Sequence, residues 1–304
     1  MRVSEAAHER GKAMLSRFSL ITVILIGLVS PAQAQTRWEE VGQALGKEGS
    51  TQDGVYRVSF PRTDLKLVLD DVPIAPGFAL STWVAFKQMG DGAMLMGDLV
   101  LAEEEVNPVM ERLLESGVQV TALHKHLIGP EPTPMYMHVG GEGDPVELAK
   151  AIHSALLLTG TPLESASGGG EAPKITFDTE AVDQIMRDKG KADGGIYKYN
   201  IPRAQPVTMH GMEIPAAMGS AIAINFQPIA KGQAATTGDF VMTADEVQPV
   251  LRALKENGIQ VMPLHNHMLE EEPRLFFVHF WGKGEAQGLA RGLRAALDQI
   301  AVKG

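Results

Sequence analysis

The chain reads the same way twice, and a duplicated unit has to fold twice. Gly54–Arg62 (GVYRVSFPR) runs against Gly195–Arg203 (GIYKYNIPR), and Gly97-Asp98 against Gly238-Asp239. Glu105-Val106-Asn107-Pro108 matches Glu246-Val247-Gln248-Pro249, and Gly117–Val120 matches Gly258–Val261. Leu123-His124-Lys125-His126 matches Leu264-His265-Asn266-His267, Glu131-Pro132 matches Glu272-Pro273, and His138 matches His279. The offset is 141 residues throughout, with small compensating gaps only after Arg62. One register held across both halves is the mark of a tandem duplication.

A length of 304 residues with 44% hydrophobic content suits two ordinary cores. The organisation expected is a signal peptide at 1–34, a first repeat at 35–160, a linker at 161–174 and a second repeat at 175–304. The linker is rich in Pro, Ser and Gly. The leading segment has Arg2, Arg10, Lys12 and Arg17, then the apolar run Leu20–Val29, then Ala32-Gln33-Ala34 as a small-x-small cleavage pattern. That run is about half of the roughly 20 residues a spanning helix needs, so no stable membrane anchor is expected after cleavage behind Ala34. Met14 is an alternative start. The expected location is the periplasm or the medium.

Within each copy strand and helix patterns alternate. Residues 38–47 read as a short helix; 55–60, 65–69, 79–86 and 93–101 read as strands. Val106, Val109, Met110, Leu113 and Leu114 fall at helical spacing and stop at Gly117. Thr243 and Glu246 form a capping box for the second copy of that helix. Strands at 118–127 and 135–139 follow, then a helix capped by Asp144-Pro145 and running to residue 158. The order β-α-β-β-α predicts an α+β fold: two tandem repeats, each an antiparallel sheet with helices on one face. It is a ferredoxin-like, split βαβ order with extra strands.

Six of the nine histidines occupy repeated positions: 124, 126 and 138, and 265, 267 and 279. Alternate residues of a strand share a face, so His124 and His126 are expected to be neighbours. A hairpin turning at Pro132 would set His138 opposite His126. Three converging imidazoles per repeat would suit Zn, Cu or Fe as a divalent ion. Asp98, Glu131, Asp239 and Glu272 are candidates for an oxygen ligand or for orienting a ring. With no cysteine in the chain, thiolate ligands and disulfides are excluded.

Other readings stay open here. The rings can be hydrogen-bonded ends of an apolar stripe, or line a small-molecule cleft in a non-enzymatic module whose repeats pack sheet to sheet. His124-x-His126-x4-Glu131 also has the spacing of a cupin metal motif, which would make the chain a bicupin metalloenzyme. Arg62 and Arg203 are candidate clamps for an anionic ligand. Met209-His210-Gly211-Met212 occurs in one copy and reads as a loop, and His153 reads as helix packing. The formal charge of −10, with basic residues clustered only at the start, argues against nucleic acid as a partner. Whether the chain is an enzyme, and how it assembles, the residues leave undetermined.

The duplicated Gly-Asp, Leu-His-x-His and Glu-Pro…His pattern resembles the LppY/LpqO family of secreted bacterial proteins. The resemblance spans nearly the whole chain from Trp38 and implies export and duplication. Lipoprotein members of that family carry a lipidated cysteine, which this chain lacks.

Overall fold

The computed structural model describes residues 31–164 and 172–303, with side chains from residue 37. The expected signal segment up to residue 30, and the middle of the expected linker, lie outside the described residues. Among the described residues no helix is long and apolar enough to cross a membrane.

The first repeat runs α1 (Pro31–Leu45), β1 (Ser50–Gln52), β2 (Val55–Pro61), β3 (Val68–Leu69), β4 (Val72–Pro73), α2 (Pro76–Ala79), β5 (Ser81–Met89), β6 (Gly92–Leu101), α3 (Val106–Glu115), β7 (Gln119–His124), β8 (Met135–Gly143) and α4 (Pro145–Leu156). The second runs α5 (Thr179–Met186), β9 (Lys191–Asp193), β10 (Ile196–Ile201), β11 (Thr208–Met209), β12 (Met212–Glu213), β13 (Ile222–Ala230), β14 (Gln233–Met242), α6 (Ala244–Glu256), β15 (Gln260–His265), β16 (Phe276–Glu285) and α7 (Ala286–Leu297). Each repeat builds one six-stranded sheet, in the orders β1-β2-β5-β6-β8-β7 and β9-β10-β13-β14-β16-β15. Every pairing is antiparallel. Because β6 and β7 both run antiparallel to the β8 between them, they are parallel to each other, which is the split βαβ arrangement. The fold is the α+β duplication expected. The bicupin alternative is overturned: the sheets are open and carry helices, where a cupin closes strands into a barrel.

Local chemistry places the ends of the elements. The Glu246 carboxylate accepts from the Thr243 N–H at 2.7 Å, the reach-back half of the capping box at the start of α6. Asp144 accepts from the N–H groups of Val146 and Glu147 and so starts α4. The 65–69 strand shrinks to β3, which forms a two-stranded hairpin with β4 around Asp70 and Asp71, both at positive φ. Its counterpart β11–β12 turns at His210 and Gly211, also both at positive φ, so the Met-His-Gly-Met stretch is a tight hairpin.

Strand alternation splits each sheet into two faces. In the first repeat Val84, Phe86, Leu95, Leu99, Met137 and Val139 pack against Val41, Leu45, Leu113 and Ile152 of α1, α3 and α4. The opposite face meets the other repeat. Leu69, Phe78, Val100 and Tyr136 share a core with Ile196, Ala235, Met262 and Trp281. Polar bonds pin the same contact: Trp281 donates its indole N–H to Asp70 at 2.7 Å, and Gln227 bridges Ala75 N–H and Pro73 C=O. The result is helix, sheet, sheet, helix, with the two sheets facing inward.

Candidate metal centre

The inward faces carry the repeated histidines, and all six meet in one cluster. Asp98 lies directly across the β6–β8 ladder from His138, and Asp239 across β14–β16 from His279. On each sheet those pairs point away from the helices. His124 and His265 end β7 and β15 beside them.

The expected hairpin register is corrected. His138 faces Ala122, and Tyr136 faces His124; a bulge between Val120 and Ala122 shifts the ladder further from the turn. Counting equal steps either side of Pro132 assumed a symmetric turn. The actual connection spans residues 125–134, so His126 sits in it, beyond the strand. Its ring lies over Tyr136, with centroids 3.4 Å apart, and His267 lies over Phe277 at 3.6 Å.

Two separate clusters were expected; the structure makes one. Across the repeat boundary His124 stacks on His265 (3.6 Å), His126 meets His279 (3.8 Å), and His138 stacks on His267 (3.9 Å). Within the repeats the spacing is wider, at 5.0 and 4.9 Å for His124–His126 and His265–His267. Exchanging each residue for its partner 141 positions away reproduces nearly the same distances. The centre therefore straddles an internal pseudo-two-fold.

Second contacts fix which nitrogen faces inward. The Nδ1 atoms of His124, His265 and His279 lie 3.3, 3.3 and 2.9 Å from the carbonyls of Lys125, Pro263 and Gly238. An imidazole donating from Nδ1 presents a bare lone pair at Nε2. The Nε2 atoms of all six rings are buried and make no hydrogen bond in the protein, and neither do Oδ1 of Asp98 and Oδ1 of Asp239, although His267 Nε2 lies 3.0 Å from Asp239 Oδ2. Each such atom costs about 1–3 kcal/mol when left unpaired. Eight together rival the roughly 5–15 kcal/mol net stability of a whole fold.

Electrostatics match that picture. Burial pushes His124 and His279 down to about 4 and His267 to about 3, and holds His126, His138 and His265 well below the usual imidazole range. At neutral pH all six rings are uncharged. Burial raises Asp239 to about 6, and it raises Asp98 well above the ordinary carboxylate range, helped by the Asp239 charge. Arg57, its guanidinium 3.8 Å above the Trp83 ring and donating to the Ala217 carbonyl, supplies opposite charge toward Asp98. Neutral imidazoles beside destabilised carboxylates favour an added cation.

Four sets of donor atoms lie within 4.8 Å of one another: His124/His138/His265/His267, Asp239/His265/His267/His279, His124/His126/His279 and Asp98/His126/His138. Donors around a tetrahedral ion at roughly 2.1 Å lie about 3.4 Å apart, so the widest pairs in these sets would need to contract by up to about 1.4 Å.

Not every candidate belongs. Glu131 and Glu272 are exposed and stand outside the four donor sets; their backbones bridge to Val68 and Thr208. Their place in the repeat comes from the loop, where each precedes a cis proline. Arg62 and Arg203 are no anion clamps. Both are buried, Arg62 on Glu105, Asp64 and the Val100 carbonyl, Arg203 on Glu246 and the Val241 carbonyl. Each already holds its carboxylate inside the fold. His153 accordingly packs, its Nδ1 3.0 Å from the Leu45 carbonyl.

The repeated Gly-Asp motif has a steric reason. A Cβ on Gly238 would sit 1.9 Å from the Ala223 carbonyl oxygen, and one on Gly97 2.8 Å from that of Trp83. Only glycine lets the neighbouring strand come close enough to hold the next residue, the aspartate, in register. Gly238→Ala is expected to cost about 1–3 kcal/mol in urea unfolding; an unchanged midpoint would contradict this account.

His210 makes a separate bridge between the repeats. Its Nδ1 lies 2.5 Å from Glu142 of the first repeat and its Nε2 2.5 Å from Glu270 of the second. Those two carboxylates raise its pKa above the usual 6.5. An NMR titration should show the His210 ring titrating above that value, and Glu270→Gln should lower it. No downward shift in the variant would show that the bridge is absent.

Sequence reading did not single out Tyr136 and Phe277, the aromatic floors beneath His126 and His267. Their own 141-residue spacing, two positions before the third histidine, was the available signal.

The chain belongs to the family described as Domain of Unknown Function (DUF1259), whose profile matches it twice, at residues 39–157 and 180–299. No curated protein matches it. Among solved structures it is similar to a trimeric bacterial microcompartment shell protein, PduB, at 11% identity over 83% of this chain and 89% of that one, with a TM-score of 0.23. EtuB from Clostridium kluyveri gives 12% identity, 82% and 90% coverage and a TM-score of 0.19. Likenesses that distant inform neither fold nor role.

Proposed function

We propose that this member of the duplicated family is an exported metalloprotein that holds a divalent transition metal at the histidine centre between its repeats. One observation carries the reading: eight buried polar atoms, six imidazole Nε2 and two carboxylate Oδ1, converge without a hydrogen bond in the protein, the closest approach being His267 Nε2 to Asp239 Oδ2 at 3.0 Å. Bound cations would satisfy them, and among the described residues no hydrogen-bond donor does. Nitrogen and oxygen donors without any thiolate suit Zn²⁺, Cu²⁺ or Fe²⁺. The small-molecule-cleft alternative fares worse, because rings stacked at 3.6–3.9 Å fill the space such a ligand would need. Export rests on the basic, apolar and small-x-small segment ending at Ala34 and on the resemblance to the secreted LppY/LpqO proteins.

The test is a Co²⁺ titration of chelator-stripped, untagged protein, followed by its visible absorption. Ligand-field bands should saturate in the wild type and vanish when His124, His126, His265 and His267 are replaced together by Ala. Bands of equal strength in that variant would refute the reading.

A further inference from the structure

We infer that the centre is dinuclear, each ion held by the His-x-His pair of one repeat and the third histidine of the other, with Asp98 and Asp239 bridging the two ions. This inference rests on the metal-binding reading and adds to it the number of ions and the pairing of ligands.

The ligand sets decide the pairing. His124, His126 and His279 form one mutually close triad, and His138, His265 and His267 lie together within another set. These two triads share no residue and use all six rings. The partition by repeat fails, because His124, His126 and His138 form no such set, although their counterparts His265, His267 and His279 do. No other division of six histidines into two triads has both halves within these sets. The crossed triads are also exchanged by the pseudo-two-fold, since 124, 126 and 279 become 265, 267 and 138 under the 141-residue shift.

The carboxylates fit the same scheme. Asp98 Oδ2 lies 3.6 Å from His126 of the first triad and Oδ1 lies 4.0 Å from His138 of the second. Asp239 Oδ2 lies 3.0 Å from His267 Nε2 of the second triad, and Oδ1 lies on the Nδ1 side of the His279 ring of the first, 3.8 Å from that atom. Each aspartate thus turns one oxygen toward each triad, as a carboxylate spanning the ions of a two-metal site does. Three imidazoles and shared carboxylate oxygens give each ion a full nitrogen-oxygen set. In this pairing each ion draws ligands from both repeats, so metal binding would tie the two halves together.

The experiment compares metal stoichiometry in the wild type and two triple alanine variants, by equilibrium dialysis with Co²⁺. The wild type should hold two ions per chain. Removing His124, His126 and His279 should leave one ion bound with near wild-type affinity. Removing His124, His126 and His138 strips ligands from both triads and leaves Asp239, His265, His267 and His279 as the one intact donor set; that variant should hold its remaining ion more weakly than the first variant does. The reverse ranking of the two variants would overturn the crossed pairing. One ion per wild-type chain would overturn the dinuclear centre and leave the metal-binding reading standing; no bound ion would overturn both. A measurement needing no variant guards against misfolding. Wild type loaded with two equivalents of Cu²⁺ should give a spin-coupled electron paramagnetic resonance spectrum. Two isolated Cu²⁺ signals would contradict the bridges.

Discussion

Saturating the metal-free protein with Zn²⁺ is expected to raise its thermal midpoint by about 8–16 °C. An ion that binds only the folded state stabilises by RT ln(1 + [L]/Kd), about 4 kcal/mol at a thousandfold excess over Kd. For a chain of this size each kcal/mol moves the midpoint by roughly 2–4 °C. A second bound ion would add to the shift. The gain arises because unfolding separates His124, His126 and His138 from His265, His267 and His279, so the crossed ligand sets exist only when the sheets face each other. Scanning calorimetry with and without Zn²⁺, reversed by a chelator, reads this directly. A shift of under 2 °C at saturating Zn²⁺ would contradict it.

Arg62→Ala should lower stability by about 3–5 kcal/mol, because it leaves a buried carboxylate without its counter-charge. Arg62 is 1% exposed and grips both oxygens of Glu105, at 2.7 and 3.0 Å. Glu105 in turn accepts from the N–H groups of Ala102 and Gly160, tying the start of α3 to the chain leaving α4. Arg203 and Glu246 repeat the device 141 residues on. Burial alone would raise the Glu246 carboxyl; the Arg203 hydrogen bond and charge, together with the N–H groups of Thr243 and Ala301, outweigh it and hold the group below its usual 4.5. Its contribution is therefore complete above about pH 4.5 and lost as the pH falls through the lowered value. Urea unfolding of both arginine variants at neutral pH is the check. A loss under 1 kcal/mol would mean that neither pair matters to the fold.

The duplication, the strand and helix order and the histidine positions were all legible in the residues, for a physical reason. Alternation such as Val84/Phe86 and capping such as Thr243/Glu246 are local, and local patterns survive in a single sequence. Two things were not legible. The first is the place of His126 off its strand: β7 ends at His124 and the connection runs over 125–134, a turn centred before Pro132 that no residue type announces. The second is the meeting of His124 with His265 across the repeat boundary, since periodicity reports a face and not what that face meets. Arg62 and Arg203 misled for a related reason. A repeated Pro-Arg pair looks the same whether the guanidinium awaits a ligand or already holds Glu105 or Glu246.

Anomalous diffraction from crystals of the Zn²⁺-loaded protein, collected on either side of the zinc edge, tests the central claim most directly. The account predicts strong peaks among the rings of His124, His126, His138, His265, His267 and His279, within coordination distance of their nitrogens. Peaks confined to the outer surface, with the six rings still stacked as before, would contradict it.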